Sequence, residues 1–166
     1  MKIIVDRREQ LPFSFTRDRY TGVIVEPGTL TTGDYSLHGL TDRVTVERKA
    51  LDDLVQCLGH DRQRFEAELQ RMNALDAACV VIEASWHDLL TKKYKSRLEP
   101  HSACMSVLAF SCRYRVPFMF AGNRGGAEYA CWGFLRHYLE HARKRLKAIV
   151  SAHDDGGLSY EQSIQI

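Results

Sequence analysis

Gly33-Asp34-Tyr35, followed by Val44-Thr45-Val46-Glu47-Arg48-Lys49-Ala50-Leu51-Asp52-Asp53, is the stretch on which the reading of the fold turns. Val44 to Val46 is a short β-branched run of the kind that forms a strand. From Ala50 the period changes, and Leu51, Leu54, Val55 and Leu58 recur at three and four residues as the apolar stripe of a helix. Along a strand alternate side chains share a face, so Glu47 and Lys49 point one way and Arg48 the other. Asp34 closes the preceding strand after a glycine, and it lies beside Glu47 and Lys49 if the two strands pair as a hairpin around residues 38–42. Two carboxylates and an ammonium then converge on one point. Carboxylates of this kind hold a hard divalent cation, Mg²⁺ or Mn²⁺, which polarises a phosphate and lowers the pKa of a bound water. A lysine beside them orients that water or offsets charge developing in the transition state. The bare triplet is also what a solvated strand end looks like, so spacing alone leaves both readings open.

Outward from this stretch the chain alternates strands and helices. Lys2 to Asp6 is an apolar run ending in an acid, the pattern of a buried central strand. Asp6 reads either as a group near the metal or as a strand-end carboxylate bonding a turn. Leu11 to Tyr20 has no clear period and reads as irregular. Val23 to Glu26 is a strand, Pro27-Gly28 a turn, and Asp34 to Leu37 the strand before the hairpin loop. After the first helix and a break at Gly59-His60, a second helix is expected over Arg62 to Leu75. Cys79 to Glu83 reads as a buried strand and Trp86 to Leu90 as a short helix. Thr91 to Arg97, with four bases around Tyr94, reads as an exposed loop that either grips a nucleic-acid backbone with the ring stacked on a base or simply aids solubility. A helix over Ser102 to Tyr114, a strand over Pro117 to Ala121 and a last helix over Ala127 to Val150 complete the order. The expected architecture is an α/β fold with a mixed β-sheet flanked by helices, one domain over residues 1–150 and a mobile tail over 151–166.

Bulk properties narrow the class. With 166 residues, 45% apolar and 27% charged, the chain suits one globular domain. No apolar run is long enough to span a membrane, and Ile3-Ile4-Val5 is too short for a signal-peptide core. The five cysteines are odd in number and form no C-x-x-C pair, which argues against a disulfide framework or structural zinc and for buried free thiols. His137 and His141, four apart, lack the further ligands a metal site needs and read as a solvated pair. A net charge of +2 does not by itself indicate nucleic acid, but bases cluster locally, among them Arg143 to Lys147 on the polar face of the last helix.

The run G-D-Y…V-E-R-K-x-x-x-D, with Val5-Asp6-Arg7-Arg8-Glu9 upstream, resembles the nuclease domain of the XPF family of structure-specific endonucleases. That family's signature G-D-x(n)-E-R-K-x-x-x-D is filled at Gly33, Asp34, Glu47, Arg48, Lys49 and Asp53. Arg8-Glu9-Gln10 followed by Pro12-Phe13 looks like the compact form found in phage and prophage genomes. The resemblance, over about residues 2 to 150, implies a restriction-endonuclease-like (PD-(D/E)XK) core and metal-dependent cleavage of DNA. It implies that Asp34 and Glu47 ligate Mg²⁺ (or Mn²⁺), that Asp6 closes the metal site, and that Lys49 assists the water. Arg8 and Arg48 would hold the phosphate, although strand alternation offers Arg48 a structural ion pair instead. Glu9 would orient Lys49 or join the metal shell. Asp53 is either catalytic or a first-turn acid favoured by the helix dipole. Either Arg62 or Arg64 would contact phosphate. Family members commonly place a helix within residues 11–20, which this sequence does not suggest. They also commonly continue into helix-hairpin-helix motifs, for which nothing after Val150 is long enough. They pair through late helices, so a homodimer is expected through the helix at 127–150 and the segment 102–121. With no membrane span or signal-peptide core in the sequence, a cytoplasmic protein is expected, and the phage-like form points to a bacterial or phage-infected cell. The competing reading is a non-catalytic DNA-binding or scaffold subunit, which should lack one of Asp34, Glu47 and Lys49.

Overall fold

The computed structural model describes residues 1–153. Six strands form one sheet in the order β2-β1-β3-β4-β5-β6: β1 (Lys2–Asp6), β2 (Ile24–Gly28), β3 (Tyr35–Leu37), β4 (Val44–Lys49), β5 (Ala77–Ile82) and β6 (Phe118–Phe120). Only β3 runs against its neighbours, pairing with β1 on one side and β4 on the other, with Tyr35 opposite Val46. The remaining pairs are parallel, so β1, β2, β4, β5 and β6 all end at one edge of the sheet. Asp34, just before β3, starts from that same edge.

The helices are α1 (Leu51–Leu58), α2 (Arg62–Asn73), α3 (Trp86–Leu90), α4 (Pro100–Tyr114) and α5 (Arg124–His153). They cover opposite faces. Leu54, Val55, Phe65, Leu69, Leu89, Val107 and Phe110 from α1–α4 pack on Val80 and Ile82, whereas Cys131 and Leu135 of α5 pack with Cys79, Val81, Val44 and Val46. Because β5 is buried on both sides, Ala78 to Ile82 reads as a continuous apolar run. β4 splits in the same way: Val44, Val46 and Arg48 belong to the α5 side, Thr45, Glu47 and Lys49 to the α1–α2 side.

Several sequence expectations need correcting. Pro27-Gly28 is not a turn but the end of β2, where an edge strand tolerates a residue without an N–H. Residues 11–20 hold only a single 3₁₀ turn, Asp18–Tyr20, as their irregular pattern suggested. Tyr94 is buried and donates to the Leu98 carbonyl (2.9 Å), so it cannot stack on a base. Four cysteines are buried, but Cys112 is exposed. The last helix begins at Arg124 and continues to His153, past the expected end at Val150, so part of the expected tail is helical; the rest of that tail lies outside the described residues. No described helix is long and apolar enough to cross a membrane.

Candidate active site

Gly33 sets the entry to the site. It adopts a positive φ of 76°, and a Cβ there would collide with the Thr45 side chain, so the close approach of the β3 entry to β4 requires glycine. The Asp34 amide then donates to the Val46 carbonyl (2.9 Å), and the Arg48 amide donates to Asp34 Oδ2 (2.8 Å). Asp34 is thereby fixed against the end of β4, beside Glu47 and Lys49. All three line an open cleft of about 450 Å³ at the sheet edge. Arg8, Glu9, Gln10 and Leu11 form one wall; Asp53, Gln56 and Cys57 of α1, with Asp61 and Arg64, form the other.

The electrostatics of this cleft are unusual for a resting surface. Glu47 is almost fully buried, 4% exposed, and its carboxylate pairs with the Lys49 ammonium. Burial lifts its pKa well above the ordinary value, against the pull of Lys49 and with help from Asp34 and Glu68. Burial also pushes Asp34 up to about 6, only partly opposed by the Arg48 amide and the Lys49 charge. Burial works to neutralise Lys49, but Glu47 and Glu68 outweigh it and keep the lysine charged, its pKa raised. The Lys49 ammonium also stands 5.5 Å from the Phe65 ring centre on α2.

Arg48, on the other face of β4, is 9% exposed and spoken for. It donates to Glu9 (3.0 and 3.3 Å) and to Glu83 (3.1 Å). Arg124, the first residue of α5, adds a second guanidinium to Glu83 (2.7 Å) and donates to the Leu11 and Pro12 carbonyls (2.7 and 2.9 Å). Of the two readings left open for Arg48, the ion pair is the one this geometry contains. Glu9 accepts from Arg48 and from the Leu11 amide (2.7 Å), so it braces the cleft wall rather than orienting Lys49.

Asp6 is held beside Asp34 through its backbone, its amide donating to the Asp34 carbonyl (2.8 Å), but its side chain does not line the cleft and pairs with Arg8. Its carboxylate accepts the Arg8 amide and Nε on Oδ1 (2.8 and 2.7 Å), and Arg8 Nη2 and the Leu30 amide on Oδ2 (3.0 and 2.7 Å). The Arg8 bonds, against burial, pull its pKa down to about 2. Its place is to hold Arg8, which lines the cleft with a largely exposed side chain. Arg62 and Arg64 point to different sides of α2. Arg62 turns toward α4, donating to Ser106 (3.1 Å) and lying 4.5 Å from the Phe110 ring centre, while Arg64 lines the cleft. Asp53 is exposed on the cleft rim, one position from Asp52, whose carboxylate accepts the Lys95 amide (2.9 Å).

Glu68 was missed by sequence reasoning. It lies one helical turn after Arg64, half-buried, and its charge acts on Asp34, Glu47, Lys49 and Arg8. The i, i+4 step from Arg64 was the available signal. Among the described residues no three acidic, histidine or cysteine side chains sit close enough together to hold a metal by themselves. A divalent cation that keeps most of its waters needs only one or two carboxylates, and Asp34 and Glu47 are the two acids this cleft brings together beside Lys49.

A mixed sheet whose central strands gather acids and a lysine at one edge defines a protein of the restriction-endonuclease-like fold class. Residues 5–125 match the ERCC4 domain, and the chain belongs to that family, the XPF-type family its motifs resemble. Among solved structures it is similar to XPF from Aeropyrum pernix, with a TM-score of 0.66 and 23% identity over 83% of this chain and 61% of that one. It is likewise similar to XPF from Aeropyrum pernix in complex with DNA, with a TM-score of 0.63 and 23% identity over 84% of this chain and 65% of that one. The chain thus spans less than two thirds of the length of either. No curated protein matches the sequence.

Proposed function

We propose that the protein is a divalent-metal-dependent DNA endonuclease that hydrolyses phosphodiester bonds, with a preference for flap, fork or branched DNA. One observation carries this reading: Asp34 and Glu47 are two acids raised by burial, side by side in an open cleft, with Lys49 as their neutralising partner. Holding two such groups together is costly, and a cation repays that cost. Bound there, Mg²⁺ or Mn²⁺ would supply Lewis-acid polarisation of the phosphate and a water of lowered pKa. Asp34 and Glu47 would hold it. Lys49 would face the charge that grows on the phosphate, Arg8 and Arg64 would fix the phosphate from the two walls, and Asp53 would bound the cleft on the rim. Asp6 and Arg48 would act indirectly, Asp6 through Arg8 and Arg48 through the amide that fixes Asp34. The membership in the ERCC4 family and the likeness to an XPF structure solved with DNA support DNA as the substrate.

The test is cleavage of single strands, duplex, flaps, forks and four-way junctions, with Mg²⁺ and with EDTA. We expect cutting that EDTA abolishes and that favours branched substrates. DNA binding without cutting under any divalent metal would leave the scaffold-subunit reading.

We also propose a two-fold homodimer. A groove of about 1280 Å³ runs along α5, lined by Tyr129, Trp132, Phe134, Leu146 and Ile149 and reached by Met119 of β6. Tyr129, Leu146 and Ile149 are each half exposed, an apolar stripe that a second copy would cover. Of the expected segment 102–121, α4 packs in the opposite helix layer, so only the β6 end can share this face. Light scattering should give a dimer mass; a monomer with full nuclease activity overturns the pairing.

A further inference from the structure

α5 outruns the sheet it covers. Its buried residues end at Leu135, and every residue from Arg143 to Ile149 is exposed. From His141 to His153 it carries Arg143, Lys144, Arg145 and Lys147 and not one acid. Arg145 lines the apolar groove, but Arg143, Lys144 and Lys147 do not, so a partner covering the groove leaves those three open. On a helical wheel they fall within about 100° of one another.

Two ordinary explanations of such a patch fail on position. Cations favour a helix C-terminus through the dipole, but that effect falls off within the last turn, and Lys147 is already more than a turn from His153. Pairing along the helix would need acids three or four residues away. The one acid in reach is Glu140, which Arg136 holds at 2.8 Å.

We infer that Arg143, Lys144 and Lys147 form a second nucleic-acid contact, a basic helix face that grips the phosphate backbone of a duplex arm at a distance from the cleft. Arg124 stands at the cleft edge, tied to Glu83 and to the wall carbonyls, and α5 runs from it toward the opposite edge of the sheet, where Tyr138 donates to Asp76 just before β5 (3.0 Å). The helix from Arg124 to Arg143 is about 28 Å long. At 3.4 Å per base pair that is about eight base pairs of duplex. The inference rests on the DNA-binding part of the proposed function and adds a length rule: only substrates with a duplex arm longer than about eight base pairs feel this face.

The test uses the full chain with Arg143→Ala, Lys144→Ala and Lys147→Ala combined, all exposed positions whose change should leave the circular dichroism spectrum intact. Fluorescein-labelled forks with arms of 6 and 20 base pairs are titrated in EDTA across a salt series. With the long arm we expect about tenfold weaker binding and a salt slope reduced by about two to three, near 0.9 per lost phosphate contact. With the short arm, affinity should equal wild type, as should the Mg²⁺-dependent cleavage rate at saturating DNA. Unchanged long-arm binding overturns the inference, and so does an equal loss on both arms. A wild type that binds these forks without cutting them overturns the endonuclease reading alone; one that binds neither fork overturns both.

Discussion

On one face of β4, Glu47 and Lys49 have little but each other; on the opposite face Arg48 is held by Glu9 and Glu83, with Arg124 closing the chain of charges. Adjacent residues of one strand thus live under opposite electrostatic rules. The Arg48 side alternates sign and satisfies its donors, which is how a partly buried network stabilises a structure. The Glu47 side gathers acids that repel one another, and their raised pKa values mean that folding holds them at a cost. A protein keeps such a cluster where it binds something, and the network behind it keeps the cluster in place.

The sharpest way to break the contrast is to neutralise the acids. Glu47→Gln or Asp34→Asn should lower cleavage by about a hundredfold to a thousandfold, the scale seen when a central electrostatic group is removed from a site. For Asp34→Asn the change should not weaken the fold. Asp34 is raised from 3.8 to about 6 by burial, so its protonated form is favoured in the folded state. That stabilisation is fully present below pH 3.8 and lost as pH rises through about 6, by no more than about 3 kcal/mol. Urea unfolding should therefore show wild-type stability falling between pH 4 and 6.5 relative to Asp34→Asn, with the variant the more stable at pH 7.5. Wild-type turnover by either variant would remove the site assignment.

On the other face the outcome should invert. Arg48→Ala strands Glu9 and leaves Glu83 to Arg124 alone, and breaking a buried pair from one side costs about 3 kcal/mol or more. We expect a clear drop in the thermal midpoint, with Arg48→Lys recovering part of it. Equal stability with lost DNA affinity would return Arg48 to the phosphate.

Lys49→Ala separates binding from chemistry within the cleft. In the proposed mechanism its charge faces a phosphate that becomes more negative in the transition state, so kcat should fall by about a hundredfold while the Kd for DNA moves little. Weaker affinity at an unchanged rate would make Lys49 a phosphate grip instead.

How much of this was legible beforehand follows from range. The G-D-Y and V-E-R-K stretches carry local signals, a glycine, a β-branched run and a period of two, and these suffice to place Asp34, Glu47 and Lys49 together and Arg48 opposite. Asp6 is different. An acid at a strand end looks the same in sequence whether or not an arginine two residues on takes its carboxylate, and the Arg8 and Leu30 bonds become visible only in the folded chain. Residues 11–17 have no period because their order comes from afar: Arg124 takes the Leu11 and Pro12 carbonyls, and Glu128 accepts the Phe15 amide at 2.7 Å. Arg62 and Arg64 are both plausible from the chain, and the packing of α2 on α4 assigns one to each side.

Glu68 yields the subtlest prediction, because it tests where the boundary of the acid cluster lies. Phe65 and Leu69 of α2 are buried, Arg64 lines the cleft, and Glu68 shares Arg64's side of the helix one turn later. Its charge adds to the strain on Asp34 and Glu47 and helps hold Lys49 protonated. Glu68→Gln removes that charge at nearly constant shape. If Glu68 belongs to the cluster, the variant should bind Mn²⁺ several-fold more weakly by calorimetry, and its activity should fall by about tenfold, an effect of about 1.4 kcal/mol. DNA affinity in EDTA should rise slightly, since one negative charge has left a surface that meets phosphates. If Mn²⁺ affinity and rate both stay at wild type, Glu68 is a solvated helix acid and the cluster ends at Asp34 and Glu47.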